Sequence, residues 1–584
     1  MTLTATPTDH RLKRRLADFE TLADALDYAA DGDTGCNFYT GTGKLYAVLP
    51  YAELREQALG IARRLHGLGL QRGDRVALVA NTHPDFQRFF FACQYAGLVP
   101  VPVAPPLQLG GGQAYIAHLR RLLAGCQARI CVGAAEYGAF LAEASEGLHL
   151  RFIGSPEAFL HFPDAPANLR PVRANELAHL QYTSGSTRFP RGVMCTQHAV
   201  LSNLSCTTKH LQMGDGDRCV SWLPYYHDMG LVGLVLDPLV SQISVDYLGT
   251  REFAMRPRQW LLRMSEARAT ISFSPPFGYE LCARRLREED TSMFDLSAWR
   301  VAGIGAETIR PEPLARFAEA LAPSGFDSRA FLPCYGLAES SLAVSFSELF
   351  EGIKSEWVDG NKLSETQKAI AIRTDKRVPG TRENHFVNCG KALPGHEVVV
   401  RDENGNALAD RHCGSIFVRG PSVMSGYFGD NEEHPDVLSA DGWLDTGDIG
   451  YLTNGDIVIT GRKKDLIIIN GRNIWPQDLE YLAEQQPELR PGDSSAFSAP
   501  AENGEEQAVI VIQCRESDDN KRRALTDRLD RAFRAELGID CIIDLVPRHT
   551  LVRTSSGKLS RSRTRQDFLD RTHWGQPTPL RAAG

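Results

Sequence analysis

Two apolar patterns alternate along the first half of the chain. Apolar residues recur at helical spacing over 51–68, break at Gly67, Gly69 and Gly73, and give way to a continuous apolar run over 75–80. That sequence of patterns predicts a helix followed by a buried strand. The same alternation predicts a helix over 85–96, a strand over 98–103, a loop over 107–112, a helix over 115–126 and a strand over 128–132. Pro100 and Pro102 fall inside the second strand, which predicts an edge or an irregular ladder. Further strands are expected over 177–182, near 220, over 269–274, over 300–304 and from 331, with a helix over 198–211. Strands alternating with helices predict an α/β fold with a parallel core, and ligands in such folds sit at the carboxyl ends of the strands.

The pattern then changes. Residues 347–390 are more polar and less periodic. Short strands follow over 397–401, 415–419 and 457–460, separated by the turn signals Asn404-Gly405 and Asn454-Gly455, as in a small β-rich subdomain. A boundary is expected at 461–465. Beyond it lie an apolar stretch at 466–469, a hairpin turn at Asn470-Gly471, a helix from near Pro476, a strand over 508–513, a helix over 519–537, a strand over 541–545 and a loop over 554–559. The expected organisation is a large N-terminal domain over 1–464 and a small α+β C-terminal domain over 465–584.

Composition narrows the classes. At 584 residues the chain exceeds one ordinary core, and 43% apolar with 23% charged residues fits a soluble globular protein. A net charge of −8 argues against a general nucleic-acid binder. Thirteen cysteines with no C-x-x-C pair, and sixteen histidines with no H-E-x-x-H, point to reduced thiols in the cytoplasm rather than a disulfide framework or zinc site. No apolar run approaches the roughly 20 residues of a membrane span. The basic residues at 11–15 precede a mixed acidic segment, so no signal peptide is expected. The sequon at Asn203 is read as chance.

The candidate chemistry centres on 181–192. This stretch holds the hydroxyls of Thr183, Ser184, Ser186 and Thr187, the glycines Gly185 and Gly192, and the arginines Arg188 and Arg191. Hydroxyls, glycine-exposed N–H groups and guanidinium forks all suit phosphate oxygens. It is not a Walker A loop, since no G-x-x-x-x-G-K-[S/T] occurs in the chain. An ordinary turn is the competing reading. The strand ends at 304–307 and 334–339 carry similar small or polar residues, so the three can form one nucleotide cleft. His227 and Asp228 precede an apolar run over 231–236. That pair is either a helix cap or the polar mouth of a site for an amphiphile.

Taken together, the motifs YTSGST (182–187), YGLAE (335–339), TGD (446–448), GRKKD (461–465) and SSGK (555–558) resemble, in order and spacing, those of the adenylate-forming enzymes. That superfamily includes acyl-CoA synthetases, luciferases and nonribosomal adenylation domains. Arg188 and Arg191 stand where many members have glycine and lysine. With the SWLPYYHDMGL stretch (221–231) they resemble the fatty acyl-AMP ligases. The polar segment near 350–385 resembles the insertion of those ligases, which is linked to their failure to use CoA.

The resemblance implies attack of a fatty-acid carboxylate on the α-phosphate of ATP, giving acyl-adenylate and pyrophosphate. Such an acid is ionised at neutral pH, so no general base is needed. Charge stabilisation by donors, cations and Mg²⁺ is what the reaction requires. Implied roles follow: Thr183, Ser184, Gly185, Ser186 and Thr187 cradle the β- and γ-phosphates. Gly305, Ala306 and Glu307 line the adenine pocket, Tyr335 stacks on the base, and Gly336 and Leu337 belong to the same nucleotide wall. Glu339 holds Mg²⁺, Asp448 accepts from the ribose hydroxyls with Arg462 beside it, and His227 lies near the carboxylate. The run 231–236 would line an acyl tunnel, with plain core as its rival reading. Lys558 bridges carboxylate and α-phosphate, and Asp465 is the hinge on which a mobile C-terminal domain turns. The implied acceptor is the phosphopantetheine thiol of a separate acyl carrier protein of polyketide or nonribosomal peptide type. The alternatives are an acyl-CoA synthetase, an amino-acid adenylation enzyme (although 274–279 offers no acid for an α-ammonium) and a non-catalytic carrier-binding protein.

Overall fold

Six parallel strands form the middle of the largest sheet: Gly35–Tyr39, Ser244–Leu248, Arg218–Ser221, Ile271–Ser274, Val301–Ile304 and Phe331–Gly336, in that spatial order. The structure is a computed structural model. It describes every residue except 1–11, 107–111, 184–189, 287, 374–382, 430–436, 470–471, 491, 501–505, 554–558, 573 and 575–584, and gives only the backbone of 288–290 and 472–473. Most of the six strands are buried along their whole length. A parallel sheet covered on both faces requires this, and it explains why these segments read as continuous apolar runs.

Antiparallel strands extend the sheet from Phe331–Gly336 outward. They are Ala343–Phe346, Glu383–Ala392, Asp456–Arg462, Leu444–Thr453, Gly414–Arg419 and Glu397–Arg401. The expected β-rich region is therefore present, and its ladder is continuous with the parallel core. A second, four-stranded parallel sheet has the order Val99–Val103, Arg75–Val79, Ala128–Val132, Phe152–Gly154. The proline-containing strand lies at its edge, where missing N–H groups cost no ladder bonds. The hairpin Leu177–Tyr182 with Gly192–Thr196 packs against that edge strand.

One pair of strands escaped the pattern reading. Gly35–Tyr39 and Leu45–Pro50 form an antiparallel pair where the apolar pattern predicts no strand. A polar residue hides the strand: Asn37 is fully buried, and its amide donates to Asp246 Oδ1 at 2.8 Å. Arg218 pairs with the same carboxylate. The Thr40-Gly41-Thr42-Gly43 turn between two aromatic-rich segments was the available signal.

Past residue 465 the chain builds a separate sheet from Ser494–Pro500, Glu506–Gln513 and Cys541–Val546. The helices Pro476–Glu484, Asp519–Glu536 and Arg561–Thr572 cover it, and its apolar clusters are its own. The segment near 350–385 folds as the strand Ser355–Asp359, the helix Gly360–Thr366 and the short strand Ala371–Ile372, laid antiparallel against Glu383–Ala392. Its Val358 and Leu363 share one apolar cluster with Trp475, which precedes the first helix of the C-terminal segment. All thirteen cysteines are free, and no described helix is long and apolar enough to cross a membrane.

Arg561 ties the C-terminal segment together. Its guanidinium makes a fork to Glu480, Nε to Oε1 at 2.9 Å and Nη2 to Oε2 at 2.7 Å, and reaches Asp465 Oδ2 at 3.2 Å. Glu480 is buried, so it is a desolvated carboxylate that depends on this partner. Arg561→Ala is expected to lower unfolding stability by about 2–4 kcal/mol, read from urea midpoints, because a buried charge loses its pair. Arg561→Lys should recover only part of that loss, since a point charge cannot reproduce the fork.

Candidate active site

The carboxyl ends of the parallel strands open on a single cavity of about 1150 Å³. Tyr226, His227 and Asp228 reach it from the turn after Arg218–Ser221, and Ala306 from the turn after Val301–Ile304. Cys334, Tyr335 and Gly336 reach it from the end of Phe331–Gly336. Ala306 has φ of 69°, a left-handed conformation that costs a non-glycine residue on the order of 1 kcal/mol. Such residues cluster at ligand sites. Gly336 cannot be replaced: a Cβ there would stand 2.0 Å from the Leu342 carbonyl oxygen. This close approach sets the chain reversal that carries Glu339. Asn203, buried on the helix Gln197–His210, clamps the same reversal, its amide donating to the carbonyls of Ser340 (3.1 Å) and Ala343 (2.7 Å). The sequon asparagine is therefore a packing residue.

Three side chains make one wall of the cavity rigid. The Tyr335 hydroxyl donates to Asp448 Oδ2 at 2.7 Å, and Arg462 Nε lies 3.0 Å from Asp448 Oδ1. Asp448 is 5% exposed and stands behind the wall rather than in it. A second chain of contacts runs through Tyr427. Its hydroxyl donates to Glu339 Oε1 at 2.8 Å, and the Arg191 guanidinium lies 3.6 Å from its ring centroid, a cation–π contact. The main chain holds this tyrosine in place. Met194 N–H donates to the Gly426 carbonyl at 3.0 Å, and Phe428 N–H to the Gly192 carbonyl at 2.8 Å. Sequence reading missed Tyr427, whose only signal was Gly-Tyr-Phe-Gly at 426–429 in an irregular stretch.

The hairpin positions the hydroxyl-rich loop. Thr183 N–H donates to the Arg191 carbonyl at 3.1 Å and closes the loop's base. Gln181 Nε2 donates to the Tyr226 carbonyl at 2.7 Å, which fixes the His227 turn beside that base. His227 Nδ1 is 2.5 Å from Asp228 Oδ1, so the ring is oriented by a carboxylate. Five cationic side chains line the cavity: Arg121, Arg191, Arg462, Lys463 and Lys464. Its lining also includes the apolar Met229, Phe273, Leu342 and Phe346.

Of the residues singled out from sequence, Thr183, His227, Ala306, Tyr335, Gly336, Leu337, Glu339 and Arg462 meet at the cavity. Gly305, Glu307 and Asp448 are not among its lining residues. A Cβ on Gly305 would meet Cys334 Sγ at 2.8 Å, so that glycine serves close strand packing. Ser184, Gly185, Ser186, Thr187, Arg188 and Lys558 lie outside the described residues. From the apolar run 231–236 only Gly233 lines the cavity, and the other five side chains are core.

The sequence profile of the AMP-binding enzyme family matches residues 37–428. The chain belongs to the AMP-binding enzyme family. It is 46% identical over 574 residues to a Caulobacter vibrioides protein named "Putative acyl-CoA synthetase", covering 98% of this chain and 99% of that one. It is 32% identical to the medium-chain-fatty-acid–[acyl-carrier-protein] ligase JamA of Moorena producens, covering 95% of this chain and 96% of that one. A solved structure from work on fatty acyl-adenylate ligases of E. coli and L. pneumophila superposes with a TM-score of 0.90 at 47% identity, covering 96% of this chain and 100% of that one. The expected α/β fold, the resemblance to adenylate-forming enzymes and the likeness to the acyl-AMP ligase branch all hold.

One buried group of this AMP-binding enzyme sits just ahead of the loop. His179, on Leu177–Tyr182, is wholly buried against Phe90, and neither ring nitrogen has a hydrogen-bond partner among the described residues. Burial pushes its pKa from 6.5 down to about 4. Between those values the unfolded chain takes up a proton that the folded chain refuses. Stability is therefore intact above about pH 6.5 and falls as pH drops toward 4, by on the order of 2–3 kcal/mol. The fall in thermal midpoint over that window should be shallower for His179→Leu than for the parent chain. Equal slopes would show that other groups govern it.

Proposed function

We propose that this protein activates a fatty acid with ATP to form acyl-adenylate and pyrophosphate, then passes the acyl group to the phosphopantetheine thiol of a separate acyl carrier protein. One observation carries the reading: a single cavity is lined both by cationic side chains, Arg191 and Arg462 among them, and by apolar ones such as Met229 and Phe273. Its volume of about 1150 Å³ exceeds the roughly 300–1,000 Å³ of an ordinary one-ligand site, as two substrates require.

The fatty-acid carboxylate enters ionised, so the protein's task is to hold two anions together. In this reading, Thr183 through Thr187 cradle the terminal phosphates with Arg191 beside them. Ala306, Tyr335, Gly336 and Leu337 hold adenine, and Arg462, fixed from behind by Asp448, faces the ribose. His227, oriented by Asp228, stands beside the fatty-acid carboxylate. Mg²⁺ is held by one or two carboxylates plus phosphate oxygens, and Glu339 is the carboxylate that fits. Bound there, the ion neutralises phosphate charge. Lys558 approaches the α-phosphate as the segment beyond Asp465 rotates. The Arg561–Asp465 contact at 3.2 Å supports this reading, since it links the stretch just after Lys558 to the hinge residue. The apolar cluster joining Val358 and Leu363 to Trp475 favours carrier protein over CoA, because it braces the insertion near 350–385 against that rotation.

Acyl-CoA synthesis is the second reading, favoured by the name of the Caulobacter relative. Incubating enzyme, ATP and a fatty-acid series with CoA or a holo carrier protein, and detecting products by mass spectrometry, separates the two. Acyl-AMP followed by acyl-carrier protein is expected, and efficient acyl-CoA formation would overturn the carrier reading. Asp448→Asn, which removes the charge shared by Tyr335 and Arg462, should lower ATP–pyrophosphate exchange roughly 10- to 100-fold in kcat/KM. Lys558→Ala should cost on the order of 10²–10³ in kcat.

A further inference from the structure

One helix supplies a whole stripe of the cavity wall. It is α-helical over Asp228–Leu231, π-helical over Val232–Leu236 and α-helical again over Asp237–Val240. Met229, Gly233 and Asp237, spaced four residues apart, all line the cavity. In an unbroken α-helix positions four apart drift by about 40° per step. The wider π turn takes up that drift and keeps the third position on the same face. Such turns recur at functional sites.

The stripe begins with an apolar residue and a glycine and ends on a carboxyl. Asp237 is 1% exposed, and neither carboxyl oxygen has a hydrogen-bond partner among the described residues. The helix Gln197–His210 packs against the same helix and contributes Thr207 to the cavity. Thr207 is 2% exposed, and its Oγ1 is also without a partner. Around them the wall is Phe273, Leu342 and Phe346. An unsatisfied buried polar group is costly, so two on one apolar wall call for a ligand group that satisfies both. Burial drives the Asp237 carboxyl well above the ordinary carboxylate range, toward its protonated form. A neutral carboxyl and a threonine hydroxyl each donate and accept. A hydroxyl group complements both, and a methylene complements neither.

We propose that Asp237 and Thr207 form a subsite for a hydroxyl group carried partway along the acyl chain, so that the preferred substrate is a hydroxylated fatty acid. The proposal rests on the adenylation reading above. Asp237 lies ten residues on from His227, roughly 15 Å along the helix axis at about 1.5 Å per residue. The hydroxyl is therefore placed in the body of the chain, well away from the carboxylate.

The test is acyl-AMP formation by the full chain on matched plain, monohydroxy and oxo fatty acids, with the hydroxyl moved stepwise along the chain. Wild-type protein should favour one hydroxyl position over the plain acid by at least about tenfold in kcat/KM. Asp237→Leu should reverse that preference by lowering turnover of the hydroxy acid and raising that of the plain acid. Thr207→Val, nearly the same shape, should shrink it several-fold, and serves alone if Asp237→Leu fails to fold. Equal use of plain and hydroxy acids by wild type, a preference unchanged in both variants, or a preference for oxo acids alone would each overturn the subsite. Absence of acyl-AMP from every acid would overturn the adenylation reading itself.

Discussion

The buried carboxylate of Asp448 holds together parts of the chain that are far apart in sequence. It accepts from Tyr335 at the end of the parallel core and pairs with Arg462 at the end of the antiparallel extension. Residue 463 begins the short turn that leads out of the large sheet. One charge therefore fixes where the parallel strands stop, how the antiparallel strands meet them, and where the C-terminal segment departs. A carboxylate this buried is tolerated only while both partners are present. The site inherits that stringency: moving Arg462 disturbs Tyr335, and with it the wall on which the cavity is built.

A second polar chain, from Arg191 through Tyr427 to Glu339, crosses between the hairpin and the sheet. Both chains end on the cavity, and both run through a tyrosine hydroxyl bonded to a carboxylate. A phenol suits this place because its ring packs as an apolar body while its hydroxyl finds a partner. On this side the cavity is framed by tyrosine and carboxylate groups already satisfied within the protein.

Most of the architecture could be read from sequence because a parallel sheet buried on both faces leaves unbroken apolar runs between helical patterns. The strand Gly35–Tyr39 broke the rule because Asn37 and Asp246 satisfy each other inside the sheet, a pairing no local window contains. The site was legible where its residues sit in contiguous motifs, as at 335–339 and 461–465. It was illegible where a long-range contact makes the residue matter: Tyr427 gains its place from a partner 88 positions away. The run 231–236 stayed open between tunnel and core for a related reason. Apolar residues at helical spacing say that a helix is buried, and only the packing says which side faces a cavity.

That last distinction also explains how a site of this kind can change its substrate without changing its chemistry. The residues proposed to bind nucleotide sit on strand ends and turns, several of them locked by the Asp448 and Glu339 contacts. The helix after His227 meets the same cavity with one face, and Met229, Gly233 and Asp237 line it along a π turn. A substitution at Gly233 or Asp237 changes that face without touching the Asp448 or Glu339 contacts. In the proposed reading, acyl-chain selectivity is set on this helix face and the adenylating groups are held on other elements.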